Sequence, residues 1–159
     1  GEGKSYMAAS LAIALSQSGK RTLLVDADLR HSAQEKYFGL DRPDGLSSVL
    51  AGRITLESAL IQLMPNLHIL PAGPKPPNPL EILRAPNVQN VLATCWDQFD
   101  AFIVDTHAAS LASDAQIVAY QLGAALVLAR KDKTQLDALN RLADLQRRIG
   151  PTGQDNREK

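Results

Sequence analysis

The sequence predicts an α/β fold in which a parallel sheet carries helices on both faces. Short apolar runs at Thr22–Val25, Leu67–Leu70, Ala101–Val104 and Ala124–Ala129 alternate with stretches of helical spacing. The runs are apolar throughout rather than at every second residue, which marks strands covered on both sides, as parallel strands are. Two of them end in an acid, Asp26 and Asp105. Open α/β sheets bind their ligands beyond the carboxyl ends of the strands, where these two acids fall.

Taken in order, the first helix runs from Ser5 to Gln17, with Met7, Leu11, Ala14 and Leu15 at helical spacing and Gly19 as its stop. The strand Thr22–Val25 follows. Further helical patterns lie at about 33–38, 45–51, 55–63, 79–84, 87–98 and 112–121, and a last one at about 135–148. Between the strand 67–70 and the helix at 79, Pro71–Pro79 (PAGPKPPNP) holds five of the nine prolines. Proline fixes φ and lacks an N–H, so this segment fits a stiff surface connection or a partner contact. Residues 150–159 are polar and aperiodic, as a disordered tail is. There is no internal repeat and no second domain, so one domain is expected over residues 1–149.

Composition excludes several classes of function. The chain has 159 residues, 45% hydrophobic and 21% charged, so it can form a globular core. Seventeen Lys and Arg offset seventeen Asp and Glu, leaving no field to draw nucleic acid or an anionic membrane. The single cysteine, Cys95, excludes an internal disulfide and a cysteine-based metal site and suits a reducing compartment. His31, His68 and His107 share no metal-binding spacing. No apolar run approaches the roughly 20 residues of a membrane span.

Gly1-Glu2-Gly3-Lys4-Ser5 opens the first helix and matches the second half of G-x-x-x-x-G-K-[ST]. Glycines let backbone N–H groups approach phosphate oxygens, and the helix start aims its positive dipole end at them. In that reading Lys4 neutralises phosphate, the Ser5 hydroxyl ligates Mg²⁺, and Gly1, Glu2, Gly3 and Tyr6 complete the nucleotide contacts. Five residues alone fit a glycine-rich helix start equally well. LLVDAD, however, sets Asp26 and Asp28 after a buried strand, and FIVDT ends a second strand in Asp105, an acid able to hold Mg²⁺ through water. Either acid alone could cap a following helix; three such elements in this order are hard to obtain by chance.

The order GEGKS, LLVDADLR, GLSSVL, LPAG with PPNP, and FIVDT resembles the cytoplasmic ATPase domain of bacterial tyrosine kinases, the BY-kinases of capsule and exopolysaccharide synthesis. It is most similar to their EpsG-like, chain-length-determinant branch, within the wider MinD- and ParA-like P-loop ATPases. The resemblance covers residues 1–148. It implies ATP and Mg²⁺ as cofactors, Lys4, Asp26, Asp28 and Asp105 as catalytic residues, and Ser5, Asp26 and Asp105 around the metal. It implies that Asp26 holds water near Mg²⁺ and accepts the tyrosine hydroxyl proton; beside Mg²⁺ it is a weak base and helps mainly by alignment. It further implies a membrane polysaccharide co-polymerase whose cytoplasmic segment is the partner, a homo-oligomer in the full-length protein, and a place on the inner face of the bacterial plasma membrane.

The sequence also departs from that family. His107 stands where Pro follows Asp-Thr, Arg30-His31-Ser32 lacks the usual Pro, and Glu35 replaces a common His. The family's tyrosine-rich tail is absent: the last tyrosine is Tyr120, and Tyr6 and Tyr37 read as packing residues rather than substrates. A whole P-loop and its strand precede Gly1 in the family, and another strand follows Ile149, so both ends are expected to be incomplete, with exposed strand edges. A MinD- or ParA-type positioning ATPase, and a catalytically degenerate scaffold subunit of a polysaccharide assembly, stand as alternatives.

Overall fold

A computed structural model describes residues 3–41, 44–84 and 86–106; the helices expected at 112–121 and 135–148, the strand at 124–129, His107 and the tail lie outside the described residues. Helix α1 (Lys4–Gln17) leads to β1 (Thr22–Asp26), followed by the short helices α2 (Gln34–Phe38), α3 (Leu46–Leu50) and α4 (Leu56–Ala59). Strands β2 (Ile61–Met64) and β3 (Leu67–Leu70), helices α5 (Pro79–Arg84) and α6 (Pro86–Trp96), and β4 (Ala101–Asp105) complete them. Pro79 occupies a first helical position, where the missing N–H costs nothing and φ is already set.

The strands form one sheet in the order β2-β3-β1-β4. β1 is parallel to both neighbours, pairing Leu24 with Ile69 on β3 and with Ile103 on β4. The last pair of the β1–β4 register is Asp26 with Asp105.

β1 explains its own composition. Leu23 and Val25 face a core of Leu46, Val49, Leu50, Leu56, Leu83 and Phe99, brought by the helices that follow β1. Leu24 faces the other way, with Leu67 and Ile69 of β3, onto Ala9 and Ala12 of α1. Every residue of the strand is buried, so no position tolerates a polar side chain unless it is satisfied.

One expectation is corrected. The helical pattern at 55–63 divides: α4 ends at Ala59, and Ile61–Met64 is a strand antiparallel to β3, so the sheet is parallel-dominated rather than purely parallel. The hairpin turns at Pro65-Asn66, where Asn66 adopts φ 63°, a conformation asparagine accepts more readily than most residues. On α1, the residues that suggested a helix are not those that face the sheet. Met7 and Leu11 are exposed, and Ala9, Ala12 and Ser16 are buried. Small side chains let the helix backbone lie close to the strands, which a row of leucines would prevent.

α3 meets the end of β3 through backbone. Leu46 N–H donates to the Pro71 carbonyl (2.7 Å) and Ser47 N–H to that of Ala72 (2.9 Å), while the Ser47 hydroxyl donates to the Pro74 carbonyl (2.7 Å). Gly45 and Gly73 touch here: a Cβ on Gly45 would lie 2.2 Å from the Pro71 oxygen, and one on Gly73 2.7 Å from the Gly45 nitrogen. The first part of the proline-rich segment is thus a packed junction.

Candidate functional site

Gly3 precedes α1 with φ 81°, a left-handed conformation that an L side chain resists, and the space where its Cβ would be is open. The first amides of α1 have no side-chain cap. An uncapped helix start led in by such a glycine is a surface that an anion can approach.

Asp26 is fully buried. Its Oδ1 accepts from the Asp28 amide (3.1 Å), and its Oδ2 from the Ser32 hydroxyl (2.8 Å) and the Gln34 amide (3.2 Å). Burial nevertheless pushes its pKa up to about 6, and the Asp105 carboxylate acts in the same direction against these hydrogen bonds. Asp105 is 3% exposed. Burial raises its pKa as well, and Asp28 adds to that, while hydrogen bonds with Ser5 and Gln34 and the charge of Lys4 pull it down. Lys4, Ser5, Asp26, Asp28 and Asp105 therefore converge where the carboxyl ends of β1 and β4 meet the start of α1.

Asp28 also organises the loop after β1, its Oδ1 accepting from the amides of Arg30 (3.2 Å) and His31 (2.9 Å). Tyr6 is exposed, and its ring meets that of Tyr37 edge-on at 6.3 Å between centroids. Gly1 and Glu2 lie outside the described residues. Glu35, at the position of the family's histidine, accepts from the Gly73 amide (3.3 Å) and so links the α2 segment to the α3–β3 junction. A cavity of about 310 Å³ lined by Arg21, His68 and Phe99 lies at the opposite, amino-terminal end of the strands.

Sequence reasoning missed Gln34. Its Nε2 donates to the Ser5 carbonyl and to Asp105 Oδ2, each at 2.9 Å, across sequence separations of 29 and 71 residues. Nothing in a single sequence marks a glutamine at the start of a five-residue helix as the link between these elements.

Two carboxylates and a hydroxyl are hard oxygen donors without nitrogen or sulfur, and Asp26 and Asp105 lie side by side with the Lys4 charge acting on Asp105. That set fits Mg²⁺, which keeps several waters and phosphate oxygens in its shell rather than a full protein cage. No group of three or more His, Cys, Asp or Glu able to hold a metal occurs among the described residues.

The two acids make stability depend on pH. Asp26 titrates near 3.8 when unfolded and near 6 when folded, so the folded chain binds the extra proton and its benefit is complete below about 4. It is lost as pH rises through about 6, a loss on the order of 3 kcal/mol for such a shift. Asp105 acts in the same direction. Asp100, held down to about 2 by hydrogen bonds from Arg21, acts only at lower pH. Thermal melts of metal-free protein are expected to give a higher Tm at pH 5 than at pH 7.5, and Mg²⁺ with nucleotide should narrow the gap. An equal or higher Tm at pH 7.5 without metal would contradict the buried-carboxylate account.

The parallel-dominated sheet and the helix start aimed at paired acids define a nucleotide-binding P-loop class of α/β protein. Residues 1–150 match the CobQ/CobB/MinD/ParA nucleotide binding domain, and the chain belongs to that family. It is 38% identical over 138 residues to the tyrosine-protein kinase ptk of Acinetobacter johnsonii, covering 86% of this chain and 19% of that protein. The chain thus spans less than a fifth of that relative's length. Its fold superposes on the kinase domain of the Escherichia coli tyrosine kinase ETK with TM-score 0.87 and 29% identity, covering 94% of this chain and 59% of the other. The septum site-determining protein MinD of Pyrococcus horikoshii, solved with Mg-ADP, matches with TM-score 0.59 and 29% identity over 68% of this chain and 45% of its own. Among the described residues, no helix is long and apolar enough to cross a membrane.

Proposed function

We propose that the chain is the ATP- and Mg²⁺-dependent catalytic domain of a protein-tyrosine kinase that regulates the chain length and export of an exopolysaccharide or capsule. The single observation that carries this reading is the placement of Asp26 and Asp105 side by side, buried, at the end of α1 that begins with Lys4 and Ser5. The likeness to bacterial tyrosine-protein kinases supplies the reaction class.

In this reading the α1 amides and the Lys4 ammonium hold the β and γ phosphates, while Ser5, Asp26 and Asp105 hold Mg²⁺, directly or through water. Magnesium, when bound, neutralises charge on the phosphates. Asp26 aligns the tyrosine hydroxyl with the γ-phosphate and accepts its proton, and Asp28 keeps the loop after β1 in place. Gly1 and Glu2 complete the phosphate loop, and Tyr6 lies beside the nucleotide. The partner is the cytoplasmic segment of a membrane polysaccharide co-polymerase. The full-length protein assembles as a homo-oligomer at the cytoplasmic face of the membrane.

Incubation with Mg-ATP and a tyrosine-bearing peptide is expected to produce phosphotyrosine. Hydrolysis without phosphotyrosine would instead favour a positioning ATPase, the reading that the MinD likeness supports, and neither product would leave a nucleotide-binding scaffold. Asp26→Asn is expected to lower kcat about 100-fold while changing nucleotide affinity less than about threefold, because the residue acts at the transferring group. Equal losses in kcat and affinity, read from single-turnover rates and equilibrium binding, would remove that role.

A further inference from the structure

Gln34 is fully buried, yet the phosphate-site reading gives it no task. It contacts three elements at once. The Nε2 group donates to the Ser5 carbonyl in the first turn of α1 and to Asp105 Oδ2 at the end of β4, and the backbone N–H donates to Asp26 Oδ2 at the end of β1. Both side-chain contacts of the amide are with acceptors, so the nitrogen must be the atom facing them, and the amide orientation is fixed. Its other atom, Oε1, is then a buried acceptor, and no hydrogen-bond partner among the described residues reaches it.

A buried amide oxygen without a donor costs stability, and methionine or leucine would fill the same volume without that cost. The neighbouring acids cannot supply a donor when ionised. A donor that arrives with the ligand resolves this, and a water in the shell of a hard cation held by two carboxylates is such a donor.

We propose that Gln34 is a positioning residue for the metal: it clamps the Asp105 carboxylate to the first turn of α1 and offers Oε1 as acceptor to a water of the Mg²⁺ shell. The proposal rests on the phosphate-site reading above. Groups that orient the ligands of a metal typically change its affinity 10- to 100-fold when removed.

The test is equilibrium binding of a methylanthraniloyl-labelled ATP to the full chain, in EDTA and over a Mg²⁺ titration. Gln34→Met is expected to leave affinity in EDTA within about twofold and to raise the Mg²⁺ concentration for half-maximal effect at least about 10-fold. Combined with Asp105→Asn, its effect should be less than additive, since both remove one clamp. A parent chain that binds no nucleotide, or binds it without regard to Mg²⁺, ends the phosphate-site reading and this proposal with it. A Mg²⁺-dependent parent whose Gln34→Met variant has the same Mg²⁺ requirement overturns the proposal alone. So does a variant whose affinity falls equally with and without Mg²⁺, which would mean that Gln34 only shapes the helix start. Should the variant fail to fold, the Gln34 side-chain amide resonances of the ¹⁵N-labelled parent decide. They are expected to shift when Mg²⁺ is added to the nucleotide complex, and unchanged resonances overturn the clamp.

Discussion

Replacing Lys4 with methionine is expected to weaken nucleotide binding by about 100-fold or more and to leave the melting temperature within a few degrees of the parent. Lys4 is the first residue of α1 and only half-buried. Methionine has a similar length and helix propensity, so the helix start should persist. What disappears is a positive charge placed at the uncapped helix start and close enough to act on Asp105. A charge-assisted contact with phosphate in a partly desolvated site contributes roughly 2–4 kcal/mol, which sets the scale of the loss. Isothermal titration with Mg-ATP, alongside a melt, checks both halves. Unchanged affinity would dismiss the phosphate site, whereas a collapsed melt would mean that Lys4 holds the fold.

The second large effect is structural. Gly45→Ala is expected to destabilise the protein by about 3 kcal/mol or more, because a methyl group has no room where the chain ends of α3 and β3 cross. The obstacle is not backbone conformation: Gly45 has φ −173°, which any residue adopts. The added carbon would lie 2.2 Å from the Pro71 oxygen and 2.6 Å from the Gly73 nitrogen, both backbone atoms that cannot swing aside. Separating the two segments would break the Leu46–Pro71 and Ser47–Ala72 hydrogen bonds and loosen Glu35, which holds the Gly73 amide. Urea unfolding measures the effect. Ala51→Ser, on the exposed residue just past α3, serves as the control and should change stability by less than about 0.5 kcal/mol. A loss below about 1 kcal/mol for Gly45→Ala would show that the junction relaxes.

These two sites differ in how readable they were. β1, β3 and β4 were legible as short, mainly apolar runs, although only β1 is buried at every position, and Asp26 and Asp105 stood out because an acid at the end of such a run is costly unless used. Placing both strands in one parallel sheet put the two acids at the same end of it; that β4 lies next to β1 comes from the structure. β2 was not legible: Leu56, Ala59, Leu60 and Leu63 repeat at helical spacing, and a strand of four residues is too short to outvote them. The sheet-facing side of α1 was obscured because alanine and serine carry little hydrophobic signal, although close approach to the strands requires them. The Gly45–Gly73 contact and the reach of Gln34 join positions distant in sequence, and periodicity carries no information on such pairs.

The hairpin at the edge of the sheet has a consequence for how molecules of this kind meet. Among the described residues β2 pairs only with β3, antiparallel to it, is four residues long, and slips register between Gln62 and Met64 before the turn at Pro65. A second molecule seeking to extend the sheet on that flank finds a short, kinked ladder, a poor template for ribbons of stacked chains. Lateral growth is discouraged on that flank by geometry.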